Sequence, residues 1–467
     1  MSDVEIGLRG WPALFVCTEE AFNCTSAVRI GTGIAIKETA VNGNVGDFAY
    51  NVTLRLVLKS IAMNVAAGEI TIVLDASQSS YERRFGTAEP TKHTFPAQSE
   101  FKMLASVVDI QGTLVPATCT QDGTSGTYMQ EDPADKPNAG TKTRLRIQPV
   151  TLQIPALKGT DDQLGVAVLL RRELRQRGIT YDMIPQTERE SSATVVLKPS
   201  SFSISVGVSA RKDIFTWCTL EGMSVEHGVK PTASRTPWKG KPGGDTPLDN
   251  EKSSAILISR RALFDLFIQP WLQRLEFQSS SLIVNDEHSP TIDMSIKFKD
   301  NLAMTVKTMR IGEWECKEYT FKLQDASATM ALSTDKLRFN VTKEQSKVDW
   351  VCRGLFKDTH SSVKMEFTLV KELELVKMGN GYSTSFSLCD TTKLEFAPSL
   401  VISGDVFQNV QPNNTGEYVK SPDFTLTCTS LDFSRLATIF TGDYKFAPST
   451  NRPSVVSPNI HLPGNLG

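Results

Sequence analysis

The sequence predicts an α+β protein dominated by long antiparallel sheets, with few helices. Three observations carry this reading. Apolar and polar residues alternate with period two from end to end; helical periodicity is confined to three segments; and clusters of Asn, Gly and Thr separate many of the alternating runs.

The elements follow in order. Ala13-Leu14-Phe15-Val16-Cys17 is a continuous apolar strand, and a helix follows from Glu19 to Arg29, carrying Phe22, Ala27 and Val28. Phe48, Tyr50, Val52, Leu54, Leu56 and Leu58 share one face of a long strand with one buried side. Shorter copies are Ile70–Leu74, Arg144–Ile147, Phe202–Val208, Ile292–Phe298, Leu337–Val341 and Phe424–Cys428, while Ser361–Lys377 reads as one long strand or a bent pair. Asn42-Gly43-Asn44, Gly379-Asn380-Gly381 and Asn413–Gly416 read as turns.

The second helix has a capping-box spacing, Thr160 with Gln163, in which two otherwise orphaned backbone N–H groups are satisfied. Asp161 and Asp162 complement its dipole, Leu164, Val168 and Leu174 form its apolar stripe, and Gly178 offers a left-handed stop. The third helix runs from Ser259, its cap, to about Gln269. It places Leu263, Leu266, Phe267 and the later Trp271 on one face, and Pro270 is expected to end or kink it. Stretches 118–143 and 230–252, rich in Gly, Pro and polar residues, read as loops, and the tail 448–467, with four prolines, as an extended surface segment.

A chain of 467 residues exceeds what one hydrophobic core usually supports, so two or more lobes are expected. Fifty basic and 52 acidic residues nearly cancel, which argues against a nucleic-acid surface. The opening MSDVEIGLRGW carries acids and no apolar run, so the expected location is cytoplasmic, or outside by release without a classical signal peptide. No segment has the run of ~20 apolar residues that a membrane-spanning helix needs.

Catalytic patterns are missing. The five histidines form no metal-binding pair, and no nucleophile elbow, phosphate loop or dinucleotide fingerprint is present. The eight cysteines include no close-set pair, and they read as reduced, small apolar residues rather than zinc ligands. No catalytic residue, metal or cofactor is therefore assigned. Glu313 and Glu315 share a strand face but read as solvated. Arg171, Arg172, Arg175 and Arg177 crowd the end of the second helix, either as partners of the helix dipole or as contacts for anionic lipid head groups.

Two segments resemble a known family. Arg9-Gly10-Trp11-Pro12-Ala13-Leu14-Phe15-Val16-Cys17, followed by a helix with Phe22-Asn23, is similar to the start of the clostridial forty-seven-kilodalton protein and its OrfX relatives, which are encoded beside some botulinum neurotoxins. Ser254–Phe264, running on to Phe267-Ile268-Gln269-Pro270, resembles a second segment of that family. The resemblance implies the tubular lipid-binding (TULIP) fold: an elongated, β-rich α+β molecule with long twisted antiparallel sheets wrapped around a few long helices. Its lobes would be a first at 1–200, interleaved with a second β-rich lobe at 201–447, before the tail 448–467. It also implies a lipid or other apolar ligand, a preference for phosphoinositides and a toxin-accessory role.

The leading expectation is thus a non-catalytic binder of a lipid or apolar molecule in a groove between helix and sheet. Leu263, Leu266, Phe267 and Trp271 are the groove candidates, and Arg171, Arg172 and Arg175 the candidates for peripheral contact with anionic head groups. Two alternatives stay open: a component of a toxin or secreted complex that pairs strand edges with a protein partner, and a biosynthetic enzyme shaping an apolar substrate in a cavity.

Overall fold

A computed structural model describes residues 8, 11–30, 34–35, 38–97, 99–106, 111–115, 142–147, 151–160, 162–177, 179–182, 194–197, 199–207, 212–223, 248, 251–273, 277–283, 291–299, 302–333, 336–355, 357–377, 385–421, 429–432, 436, 446–448, 454–456 and 459–466. The expected turn at 379–381, the strand 424–428 and most of both long loops lie outside these residues.

Five sheets account for most of the described chain, and none closes into a barrel. The first has ten strands. At its centre Ala13–Thr18 runs antiparallel between Asp213–Leu220 and Ser254–Ser259. These three strands are buried almost without interruption, because both faces of the sheet are covered. One face (Phe15, Cys17, Ile256, Ile258) joins the main core, and the other (Leu14, Val16, Phe215, Trp217, Leu257) forms a second core with Leu8, Trp11 and Leu248. There the Trp217 indole N–H donates to Ser205 Oγ over 2.8 Å.

A second ten-stranded sheet is built on three long strands, Lys336–Cys352, Lys357–Lys377 and Ser385–Ser403. Ser361–Lys377 thus belongs to a single strand, whose register against Ser385–Ser403 shifts between Lys371 and Leu373 and against Lys336–Cys352 opposite Gln345–Val348. Among the described strands pairing is antiparallel, apart from Thr194–Val196 on Thr429–Asp432. Alternation in sequence becomes alternation in burial: Ile292, Met294, Ile296 and Phe298 are buried, while Ser295 and Lys297 face out.

Several expectations need correction. The apolar face from Phe48 to Leu58 is not one strand. Phe48–Leu54 belongs to a four-stranded sheet and Val57–Asn64 to a five-stranded one. Alternate burial continues across the break at Arg55-Leu56 because both sheets face the same core. Asn42-Gly43-Asn44 lies inside the strand Thr39–Val45, and the turn falls at Gly46-Asp47, where Gly46 takes a left-handed φ of 59°. The tail is extended, and it is also part of a sheet: Asn459–Leu466 pairs with Ser254–Ser259 and with Phe446–Pro448. The described helices are modest in length, at most 16 residues, where long ones were expected. The first sheet takes strands from residue 13 to residue 466, so it draws on both halves of the sequence.

The first helix, Glu19–Ile30, is fastened by its polar residues as much as by Phe22. Asn23 imitates a strand partner: its amide donates to the Met63 carbonyl (3.0 Å) and its oxygen accepts from the Met63 N–H (2.7 Å). Glu19 accepts from the Val65 N–H at 2.7 Å.

Candidate functional site

The second helix, Asp162–Arg177, lies across the four-stranded sheet. Its start differs from a capping box. The Thr160 hydroxyl donates to the Leu157 carbonyl (2.8 Å), and the Gln163 side chain accepts from the N–H of Gly159, one residue earlier than expected. The anchor is Asp162, whose carboxylate accepts from Arg83 Nη1 at 2.7 Å and from the Tyr81 hydroxyl at 3.0 Å. Burial, then the bond to Asp162, pushes the Tyr81 hydroxyl up to about 12. His93 stacks on Tyr81 with ring centroids 4.9 Å apart, and its buried Nε2 has no hydrogen-bond partner among the described residues. Arg83 also sits over the Phe48 ring, 5.2 Å from its centroid.

Two glycines set how closely this helix approaches the sheet. A Cβ at Gly165 would collide with the Tyr50 ring, and one at Gly43 would stand 2.5 Å from Leu169 Cδ1 and 2.6 Å from Arg172 Nη2. The helix therefore buries Val166, Leu169 and Leu170 beside Asp162. The stripe expected in the core faces outward instead: Leu164 is 76% exposed and Val168 46%. Arg171 is exposed one turn further along that side, and Arg175 takes the next helical position on it, with its side chain outside the described residues. Arg172, also exposed, sits on the flank against Gly43.

The third helix is composite: α-helix Arg260–Leu263, π-turn Phe264–Ile268 and α-helix Gln269–Gln273. Ser259 caps it as expected, with its hydroxyl accepting from the Ala262 N–H at 3.1 Å. Pro270 does not end it. The Gln269 N–H bonds the Phe264 carbonyl five residues back, and the widened turn delivers the chain to Pro270, whose missing N–H is then absorbed without a break. Of the four groove candidates, Leu263, Phe267 and Trp271 are buried in the main core, and Leu266 is half-buried against it. Arg260, on the same side of the first turns, has Nε and Nη2 buried without a hydrogen-bond partner.

No group of three His, Cys, Asp or Glu residues able to hold a metal occurs among the described residues. Cys17, Cys24, Cys218, Cys316 and Cys352 are free thiols, all but Cys24 buried, and burial pushes Cys17 and Cys218 well above the usual thiol range. Glu315 is drawn into ion pairs with Arg310 and Arg353 rather than paired with Glu313. His360 Nδ1 lies 2.5 Å from Asp349 Oδ1 on an exposed hairpin. Nothing in the sequence marked Arg83, Tyr81 or Arg260, since each reads as an ordinary member of an alternating strand or a charged helix.

Comparison with solved structures finds likeness along nearly the whole chain at low identity. P47 from Clostridium botulinum A2 is similar at 10% identity, covering 98% of each chain, with a TM-score of 0.36. P47 of Clostridium botulinum E1 is similar at 9% identity, covering 98% of this chain and 99% of that one, with a TM-score of 0.40. A lipopolysaccharide binding protein is similar at 9% identity over the same shares, with a TM-score of 0.19. No family model and no curated protein matches the sequence.

Proposed function

We propose that the protein is a non-catalytic binder of a lipid or other apolar ligand, held between the composite helix and the sheets, and that the second helix meets anionic head groups. The observation that carries this reading is the outward stripe of that helix. Leu164 and Val168 stand exposed beside Arg171, on a helix fixed from below by Asp162, Gly165 and Gly43. Aliphatic side chains held in water beside arginines suit a lipid–water interface, where the apolar groups leave water and the cations meet anionic head groups. In this reading Leu263, Phe267 and Trp271, which lie in the main core, and Leu266, packed against it, form the apolar side of the binding site.

Two measurements test this. Organic extraction of natively purified protein, read by mass spectrometry, is expected to release a stoichiometric apolar molecule. Cosedimentation is expected with vesicles of phosphatidylcholine plus phosphatidylserine, to fall in phosphatidylcholine alone, and to be lost in Leu164→Asp, an exposed change that leaves the fold intact. An empty extract, repeated after incubation with mixed lipids, together with vesicle binding indifferent to both charge and Leu164, would overturn the reading.

A further inference from the structure

The four-stranded sheet under the second helix ends in a pair of aromatic rings. Phe48 and Phe85 stand opposite each other where Phe48–Leu54 pairs with Ser80–Phe85, so both lie on the face that carries Tyr50 and Arg83. Their ring centroids are 5.2 Å apart; Phe48 is half-buried beneath the Arg83 guanidinium, and Phe85 is 58% exposed.

The helix divides this face in two. Asp162 holds Tyr81 and Arg83, Gly165 meets Tyr50, and Leu169 lies against Gly43, so the helix axis crosses the strands. On one side of it Val41 and Val52 join Val166 and Leu170 in the main core. Leu164 and Val168 each stand two residues, about 200° around the helix, from Val166 and Leu170. They therefore border the other side, where the strands run out to Phe48 and Phe85. The exposed Leu164 and Val168 of the helix and the exposed Phe85 of the sheet thus share one corner, with Arg171 and Arg172 exposed on the same helix.

We propose that this corner is a single membrane-docking surface, in which Phe85 enters an anionic bilayer together with Leu164 and Val168. The inference rests on the head-group contact proposed above and deepens it: the end of the sheet, and not the helix alone, makes the contact, which fixes how the molecule stands on the membrane. Side chains exposed to this degree protrude rather than line a groove. A fluid bilayer closes around separate apolar projections, and the arginines beside them meet its anionic heads. Asp47, exposed in the adjoining turn, keeps the insertion shallow, because a carboxylate is costly below the head groups.

The test uses the full chain and vesicles of phosphatidylcholine plus phosphatidylserine. Phe85→Ser changes no charge and is expected to bind them about tenfold more weakly, the effect of withdrawing one large apolar side chain from the interface; melting curves check that it folds. Phe85→Trp is expected to bind like the wild type and to lose more fluorescence than the wild type when the phosphatidylcholine carries brominated chains. Vesicle binding that Leu164→Asp abolishes but Phe85→Ser leaves unchanged, with no extra quenching at position 85, overturns this inference and leaves the helix contact standing. A wild type that ignores these vesicles overturns both. Weaker binding by Phe85→Ser with an unquenched indole at position 85 assigns Phe85 to holding the sheet together and overturns the proposal. So does lipid-free self-association of the wild type that Phe85→Ser abolishes, which would make a second copy of the chain the occupant of the corner.

Discussion

At Gly165 two tendencies oppose each other. Alanine would favour the helix by about 1 kcal/mol, but its methyl would enter the space of the Tyr50 ring. Overpacking of this kind costs roughly 1–3 kcal/mol, so Gly165→Ala is expected to lower the midpoint of urea unfolding; an unchanged or higher midpoint would show that the helix does not sit this close. Sequence could not reveal this choice. Residues 164–170 offer two apolar stripes, Leu164/Val168 and Val166/Leu169/Leu170, and the glycines decide which one meets the sheet.

Tyr81 gives a pH prediction at the same scale. Its hydroxyl is pushed up to about 12 in the folded protein, against ~10 in the unfolded chain. The neutral phenol therefore stabilises the fold fully below pH ~10, and that stability is lost as pH rises toward the folded value. Tyr81→Phe is expected to flatten the alkaline fall in melting temperature over this window. A fall of the same steepness in both proteins would remove Tyr81 from the account. Buried Cys316, raised to about 12 by desolvation and by Asp349, contributes in the same direction and remains in the variant.

Among elements, the composite helix shows what local signals specify. Ser259 is legible as a cap from sequence because its residue type and position suffice. Its loss in Ser259→Ala is expected to cost about 1 kcal/mol, measured by chemical denaturation; no change would mean that the Ala262 N–H finds another acceptor. The passage through Pro270 was not legible. A π-turn depends on the packing of Phe264, Phe267 and Ile268 in the core, and no residue type announces it. The break at Arg55-Leu56 is hidden for a similar reason: alternation reports which face is buried, and two sheets that share a core preserve it across a corner.

For the whole molecule, a β-rich class with antiparallel pairing followed from periodicity, because a period of two has few other physical meanings. The order of strands did not follow, since pairing between distant segments leaves no local trace. The end of the chain illustrates this. Prolines suggested an extended surface segment and gave no pairing partner for it, yet Asn459–Leu466 covers the side of Ser254–Ser259, whose residues are almost wholly buried. Truncation before Asn459 is expected to expose that edge and produce aggregation or a large loss of melting temperature. A truncated protein that stays monomeric and melts normally would show that the last strand is dispensable.

The placement of Ala13–Thr18 has a consequence for biosynthesis. This apolar segment is made well before its partners: Asp213–Leu220 begins 195 residues after Thr18, and Ser254–Ser259 comes later still. At typical elongation rates of 5–20 residues per second, the nascent strand waits on the order of 10–40 s before either partner exists. During that interval its unpaired backbone and five apolar side chains are available to any passing chain. Yield in the cell is therefore expected to depend on what shields Ala13–Thr18 until its partner strands are made.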